Sequence, residues 1–499
     1  MNSLGRGVSS VLLVLVLLSA FALPGCGSPA GGQAVITVLG PWTGGERDGF
    51  LAMLRGFEKQ YGIQVAFTGT RDADAVLTSD LKNGNLPDLA VLATRGELTH
   101  FAAAGSLRPI DRALDLNAMA SQYGPSWLRL MQAAGPSGSR HYYAIMIKAT
   151  LKSLIWYDPA QFPARDLGLL KSPGLTWSKL MSLTNSLAAG GRSPWCMGMA
   201  DGSRSGWPGT DWIEDIVLHQ SGPAVYDRWL AGTMPWTSAP IMRAWQTFGR
   251  LAGTAGAVLG GTKSEFATPY GKAGQPMFTN PPRCYLDHEG SFTTGFYQQD
   301  TLSGSGRSAH PQPGADFNFI SFPPLTSAGQ GSEEVSADLA VMFHDTPAAR
   351  KLIAYLTTPQ AQQAWISRPG GALSVNRQVP LNAYPDPVAR GLARILTHAA
   401  SIHFDASNSM PQTMANAFNN AVLQYLDSPA QLNAILHGLD LVRQNHLSAS
   451  DGLADGGLAG GGSASLTRRT RAAKARSKRM TDSCRVQARR RRSHATPAG

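Results

Sequence analysis

Between residues 35 and 105 the chain alternates two periodicities, and this limits the folds open to it. Val35–Leu39, Ile63–Phe67 and Leu89–Leu92 are short β-rich apolar runs. Between them lie segments with helical spacing. Gly49–Tyr61 carries Phe50, Met53, Leu54, Phe57 and Tyr61, with Gly62 as its stop. Asp72 is placed to cap a helix bearing Val76, Leu77 and Leu81, ended by Gly84, and Glu97–Ala104 is stopped by Gly105. A β-α-β-α series predicts an α/β domain with a largely parallel sheet. Ligands of such sheets bind in loops at the carboxyl ends of strands, here Pro41-Trp42-Thr43-Gly44 and Gly69-Thr70-Arg71-Asp72.

Further on, roughly 150–290 is rich in Trp and Gly and richer in helix. Thr346-Pro347, Thr358-Pro359 and Ser428-Pro429 each place a hydroxyl before a first-turn proline, a helix-start signal. The last of these helices is expected to reach His437. From Ser448 the chain turns Gly/Ala/Ser-rich and then basic, without apolar periodicity, so 448–499 reads as a disordered tail.

The 499 residues carry a net charge of +11, which alone suggests nucleic acid or an anionic surface as partner. Its distribution argues otherwise. From Thr467 onward there are twelve Lys and Arg and one acid, Asp482, so residues 1–466 hold 32 of each sign. The neutral body has no bulk electrostatic reason to bind nucleic acid, and the tail lacks aromatics for base stacking.

Arg6, the unbroken apolar run Val11–Leu18 and the extension Ala20–Leu23 are too short to span a bilayer and match a signal peptide. Leu23-Pro24-Gly25-Cys26 resembles a bacterial lipobox, whose cysteine sulfur takes a diacylglycerol before cleavage. This implies a signal peptide at 1–25, lipidation of Cys26, a Gly/Ser/Pro tether over 26–33 and a lipid anchor on the outer face of the bacterial cytoplasmic membrane. The remaining cysteines, Cys196, Cys284 and Cys484, make no zinc spacing, and no cofactor or metal is expected. No Gly-x-Ser-x-Gly, His-Glu-x-x-His or Walker motif is present.

Two indoles and several carboxylates fall together in Ser205-Gly206-Trp207-Pro208-Gly209-Thr210-Asp211-Trp212-Ile213-Glu214-Asp215. Sugars present apolar C–H faces ringed by hydroxyls, and a site for them needs flat aromatic platforms and polar groups that donate and accept. The same residues would equally serve as core tryptophans and a helix cap.

This run, with Pro41-Trp42-Thr43-Gly44, Phe67-Thr68-Gly69-Thr70-Arg71-Asp72, Leu86-Pro87-Asp88-Leu89-Ala90, Pro194-Trp195-Cys196-Met197-Gly198 and Asp345-Thr346-Pro347-Ala348-Ala349-Arg350, resembles the family 1 extracellular solute-binding proteins of carbohydrate ABC transporters. The resemblance spans roughly 33–440 and is nearest the branch that takes α-glucosides. It implies a type II periplasmic-binding-protein-like fold over 34–447: two α/β lobes, a hinge and a ligand cleft. Lobe 1 would be mainly 34–147 with a later segment near 335–375. Lobe 2 would be mainly 152–330 with the C-terminal helices. The implied partners are a small carbohydrate and the membrane permease subunits, with the protein acting as a monomer and not as an enzyme. The ligand residues implied are Trp42, Thr43, Arg71, Lys148, Trp207, Asp211, Trp212, Glu289 and Asp338, and Cys196 and Cys284 would form a disulfide. The family often has an amide and a second histidine around Asp287–Glu289, where this chain has acids. Four of the acids, Asp211, Glu214, Glu289 and Asp338, keep open the alternative of a secreted carbohydrate-active enzyme.

Overall fold

The computed structural model describes residues 35–299 and 310–455. The signal peptide, Cys26 and the tether lie outside the described residues, as does the tail from residue 456 onward.

Among the described residues, twelve strands form two main sheets and one hairpin. In chain order they are β1 (Val35–Gly40), β2 (Gln64–Gly69), β3 (Leu89–Leu92), β4 (Gln132–Ala134), β5 (Arg140–Tyr142), β6 (Ala144–Leu151), β7 (Leu154–Tyr157), β8 (Ser193–Cys196), β9 (Cys284–His288), β10 (Asn318–Ser321), β11 (Ser332–Met342) and β12 (Ser401–Phe404). β4 and β5 make the hairpin.

The first sheet begins as expected. β1 pairs in parallel with β2 on one side and β3 on the other. The strand order therefore reverses at β1, which opens a crevice at the carboxyl ends of these strands. The long strand β11 organises the rest. On one edge it pairs antiparallel with β6, and on the other it pairs antiparallel with β3 at 339–342 and in parallel with β12 at 332–335. The second sheet has the order β10-β7-β9-β8.

Local signals fix the helices around the first sheet. Thr94 and Glu97 form a reciprocal capping box that starts Arg95–Ala103 two residues before the expected start. Gly62 ends Gly44–Tyr61 in the left-handed conformation, and Gly84 does the same for Ala73–Asn83. Thr346 and Thr358 cap Pro347–Leu356 and Pro359–Ile366 through their side chains. Asp72 stands before its helix without a side-chain cap bond.

Two cores form, the first reaching across to Trp156, Cys196 and Cys284 on strands of the second sheet. The first gathers Trp42, Phe50, Phe57, Leu352 and Trp365, and the second Trp195, Trp212, Trp229, Trp236 and Trp245. The return segment of lobe 1 is longer than the expected 335–375. It includes the helix Pro387–His398, whose apolar face joins the first core, and β12. Ser428-Pro429 opens only a short 3-10 turn, and the helix Leu432–Asp455 follows. That helix passes the expected end at His437 and enters the expected tail at 448. Leu432, Ile435, Leu436 and Leu439 bury one face, Asp440 accepts hydrogen bonds from the backbone N–H groups of Trp236 and Thr237, and no proline interrupts the chain as far as Asp455.

Among the described residues, the backbone crosses between lobes three times. Lys152 and Ser153 join β6 to β7, residues 322–331 join β10 to β11, and residues 405–411 lead from β12 into the second core. The crossings are bonded to one another. Lys152 N–H donates to Glu334 O at 2.8 Å, Glu334 N–H to Ser153 Oγ at 2.8 Å, and Asp405 N–H to Val335 O at 2.8 Å.

Cys196 and Cys284 form a disulfide at a sequence separation of 88, joining β8 to the strand beside it, β9. Closing a loop of that length restricts the unfolded chain by on the order of 4 kcal/mol. The double variant Cys196→Ala/Cys284→Ala is expected to lose about that much stability in denaturant-induced unfolding, with its helical content retained at zero denaturant.

Candidate functional site

The floor of the cleft between the lobes is the β6–β11 ribbon. Side chains alternate across a strand, so Lys148, Thr150 and Lys152 share one face of β6 and its crossing, and Glu334, Ser336 and Asp338 share one face of β11. The register places Lys148 opposite Asp338 and Thr150 opposite Ser336. Five of these six, all but the more deeply buried Glu334, line the cleft.

At the lobe 1 end, Lys148 Nζ lies 2.7 Å from Glu46 Oε1 and 3.0 Å from Asp338 Oδ2. It also stands over the rings of Trp42 (5.7 Å) and Trp365 (5.3 Å). Arg71 completes the group, 2.9 Å from the second oxygen of Glu46. Burial raises the Glu46 carboxyl, but Lys148 and Arg71 outweigh it and hold it below its usual value. Burial opposes the charge on Lys148, and its two carboxylates more than restore it. Trp42, Glu46, Arg71 and Thr94 reach the cleft from just past β1, β2 and β3, the carboxyl ends of the parallel strands.

The lobe 2 wall comes from the helix Trp207–Ser221. Gly206 precedes it at φ 104°, and a Cβ there would lie 2.3 Å from Asn419 O, so this helix start needs glycine. Trp207 donates from its indole to Asp201 Oδ2 at 3.0 Å and packs edge-on to Tyr270 at 4.9 Å. Lys152 Nζ sits 4.7 Å over the Trp207 ring, 2.6 Å from Asp211 Oδ2 and 3.3 Å from Asp405 Oδ2. Burial pushes the Asp211 carboxyl up to about 8, against the pull of Lys152 and with the push of Asp405. The cleft therefore carries two cation–carboxylate cages, each backed by an aromatic face, around a cavity of about 140 Å³.

The structure brings together Trp42, Arg71, Lys148, Trp207, Asp211 and Asp338 on the cleft lining. Three other expected residues lie elsewhere. Trp212 is a core residue, 1% exposed, packed edge-on against Trp195 at 4.9 Å and beside His288 at 4.2 Å. Five residues along a helix turn about 140° from Trp207, whereas Asp211 returns to its face. Thr43 stands exposed at the rim, beside a smaller recess shared with Trp365 and Gly370. Glu289 is buried behind the wall, where burial first and then Asp287 and Asp211 hold its carboxyl well above its usual range. Lys152, Asp405, Glu46, Tyr270 and Phe292 line the cleft without having been singled out from the sequence. For Lys152 a signal was present: it follows Lys148 and Thr150 at the strand period of two.

Two α/β lobes, three bonded crossings and a polar cleft with aromatic walls define a two-lobed periplasmic-binding-protein-like fold of type II. The comparisons agree. Residues 43–363 match the family model described as bacterial extracellular solute-binding protein. The osmoprotective compounds-binding protein GgtB of Synechocystis sp. is 31% identical over 86% of this chain and 97% of its own. The alpha-glucosides-binding periplasmic protein AglE of Rhizobium meliloti is 30% identical over 78% of this chain and 83% of its own. Among solved structures, the bacterial solute receptor AcbH superposes with a TM-score of 0.70 at 16% identity, covering 83% of this chain and 99% of that one. A chitin oligosaccharide binding protein superposes with a TM-score of 0.67 at 17% identity, over 83% and 99%. The chain belongs to the bacterial extracellular solute-binding protein family. Among the described residues, no helix is long and apolar enough to cross a membrane.

One buried carboxyl away from the ribbon gives a pH signature. Glu265 is fully buried, neither of its carboxyl oxygens has a hydrogen-bond partner, and burial raises it to about 7. The folded chain therefore holds a proton that the unfolded chain releases above about pH 4.3. The stability this group contributes is full below that value and is lost as pH rises through 7. Glu265→Gln is expected to match the parent near pH 4 and to exceed it at pH 8 by up to about 3 kcal/mol in paired urea melts.

Proposed function

We propose that this protein captures a small neutral carbohydrate, of the α-glucoside class or a related glycosylated solute, and delivers it to the permease of an ABC importer. The observation that carries this reading is the pairing of aromatic faces with fixed, charged hydrogen-bonding groups in one cleft. Trp207 offers surface for sugar C–H faces, and Lys148, Lys152, Arg71, Asp211 and Asp338 offer donors and acceptors for hydroxyls. Each cation already has a carboxylate partner, which suits a neutral polyol better than an anion. The printed names of GgtB and AglE, for osmoprotective compounds and alpha-glucosides, support the same class. The cavity of about 140 Å³ lies below the roughly 300 Å³ at which drug-sized sites begin, which favours one or two sugar rings over a long oligosaccharide.

The cleft is built within a single chain, in keeping with a monomer. Closure of the lobes about the three crossings would bury the solute and present the loaded form to the permease. The reading of a secreted carbohydrate-active enzyme is not favoured, since both relatives at about 30% identity are named as binding proteins.

A thermal-shift screen of mono-, di- and oligosaccharides tests the ligand class, because a true ligand stabilises the folded form as RT ln(1 + [L]/Kd). A disaccharide or glycosylated polyol is expected to give the largest shift. No shift with any carbohydrate, or hydrolysis of one, would contradict the reading. Trp207→Ala is expected to weaken calorimetric affinity by about 2 kcal/mol, roughly thirtyfold, with little change in melting temperature. Trp212→Ala, by contrast, is expected to destabilise the fold by about 3–5 kcal/mol.

We further propose that Cys26 carries a lipid that holds the protein on the outer face of the membrane beside its permease, since two or more acyl chains give stable anchoring. Cys26→Ser is expected to move the protein from the membrane fraction to the soluble one. Retention in the membrane fraction would sink the anchor.

A further inference from the structure

The three crossings bring carboxylates together from three separate segments. Asp211 comes from the helix Trp207–Ser221, Glu334 from β11 and Asp405 from the third crossing, and all three are at least 97% buried. One oxygen from each can be chosen so that all lie within 4.8 Å of one another. Oxygens about 2.4 Å from a shared ion lie no further apart than this. The nearby acids Glu214 and Asp215 are otherwise engaged. Glu214 accepts from the backbone N–H groups of Ala406 and Ser407, and Asp215 from Ser153 Oγ and His288.

Hydrogen bonds leave two members of this cluster incomplete, while Asp405 accepts from Ser407 Oγ and from the backbone N–H and side-chain amide of Asn408. Lys152 reaches Asp211 Oδ2 and Asp405 Oδ2, one cation against three carboxyl groups, of which burial holds Asp211 and Glu334 above their usual range. Asp211 Oδ1 and both oxygens of Glu334 are buried and have no hydrogen-bond partner. A buried anionic oxygen left in that state is costly, and such groups are ordinarily paired or bound to metal. A divalent cation would balance the set with all three carboxyls ionised.

We propose that Asp211, Glu334 and Asp405 form a site for one hard divalent cation at the floor of the cleft. The donors are all carboxylate oxygens, the set for calcium, magnesium or manganese. Calcium fits best, because an all-protein cage of carboxylates is its usual environment, whereas magnesium tends to keep several waters. Asp211 and Asp405 line the cleft, which supplies an entry path and open coordination positions for water or a solute hydroxyl. Lys152 has somewhere to retreat: its ammonium already lies over Trp207 and, at 5.8 Å, over Phe292. No cation was expected from the sequence, because the three ligands are 123 and 71 residues apart along the chain and follow no spacing motif.

The test needs no sugar, so its failure is distinct from a failure of the transport reading. The full chain is stripped with a chelator and titrated with calcium, magnesium and manganese, followed by calorimetry and melting temperature. Binding of one calcium per chain is expected, with a saturable rise of several degrees in Tm. Glu334→Gln, which keeps the shape but removes the charge, is expected to weaken calcium at least tenfold, while Glu265→Gln, a buried carboxyl outside the cluster, leaves it unchanged. Should Glu334→Gln not fold, terbium luminescence of the parent chain decides, with sensitised emission through Trp207 displaced by calcium. No response to any of the three ions, or an undiminished response in folded Glu334→Gln, would overturn the proposal. Stabilisation by acid alone would assign the missing charge to protons and overturn it equally.

Discussion

The facing of Lys148 and Asp338 across the β6–β11 ribbon is the interaction on which the rest of the site depends. The two residues are opposite in register, and their ion pair is closed at 3.0 Å in a largely buried setting. Removing one partner of such a pair leaves a buried charge uncompensated, at a cost of about 3–5 kcal/mol. Because the ribbon is also where the chain leaves lobe 1 and returns to it, the pair that orders the cleft floor orders the hinge. Lys152, two strand periods on, repeats the arrangement at the mouth of lobe 2 with Asp211 and Asp405.

Under the proposed function, this geometry would couple capture to motion. Trp42 and Arg71 are fixed to the parallel strands of lobe 1, and Trp207 and Asp211 to the buried helix of lobe 2, while both lysines stand on the crossing strand between them. A solute held by both walls would make contacts that exist together only when the lobes are near one another. Differential contact of that kind is what shifts an open–closed equilibrium. The backbone bonds among the crossings limit where bending between the lobes can occur.

The sequence revealed local features and hid those that depend on distant contacts. β1, β2 and β3 and the helices between them follow from apolar period and glycine stops, and Thr346-Pro347 and Thr358-Pro359 mark true helix starts. The extent of lobe 1 was not legible, because β12 is a four-residue strand whose place is set by pairing with β11, some seventy residues earlier. Ser428-Pro429 looked like the other helix starts, yet Ser428 makes no side-chain cap bond there. In the Trp-Pro-Gly-Thr-Asp-Trp run, composition suggested two aromatic platforms. Helix geometry separates them, sending Trp207 to the cleft and Trp212 to the core. Asp405 and Glu334 carry no motif at all, since only the convergence of the three crossings makes them neighbours.

The central claim is that the solute lies on the ribbon, between the two cation–carboxylate cages. It is tested most directly by locating the carbohydrate that stabilises the chain most in a crystal structure of the complex. The expected result is density for one ligand against Trp207, within hydrogen-bond distance of Lys148 or Lys152 and of Asp211 or Asp338. A ligand bound elsewhere, such as the lobe 2 cavity beside Trp177 and Arg250, with the ribbon unchanged, would contradict the account.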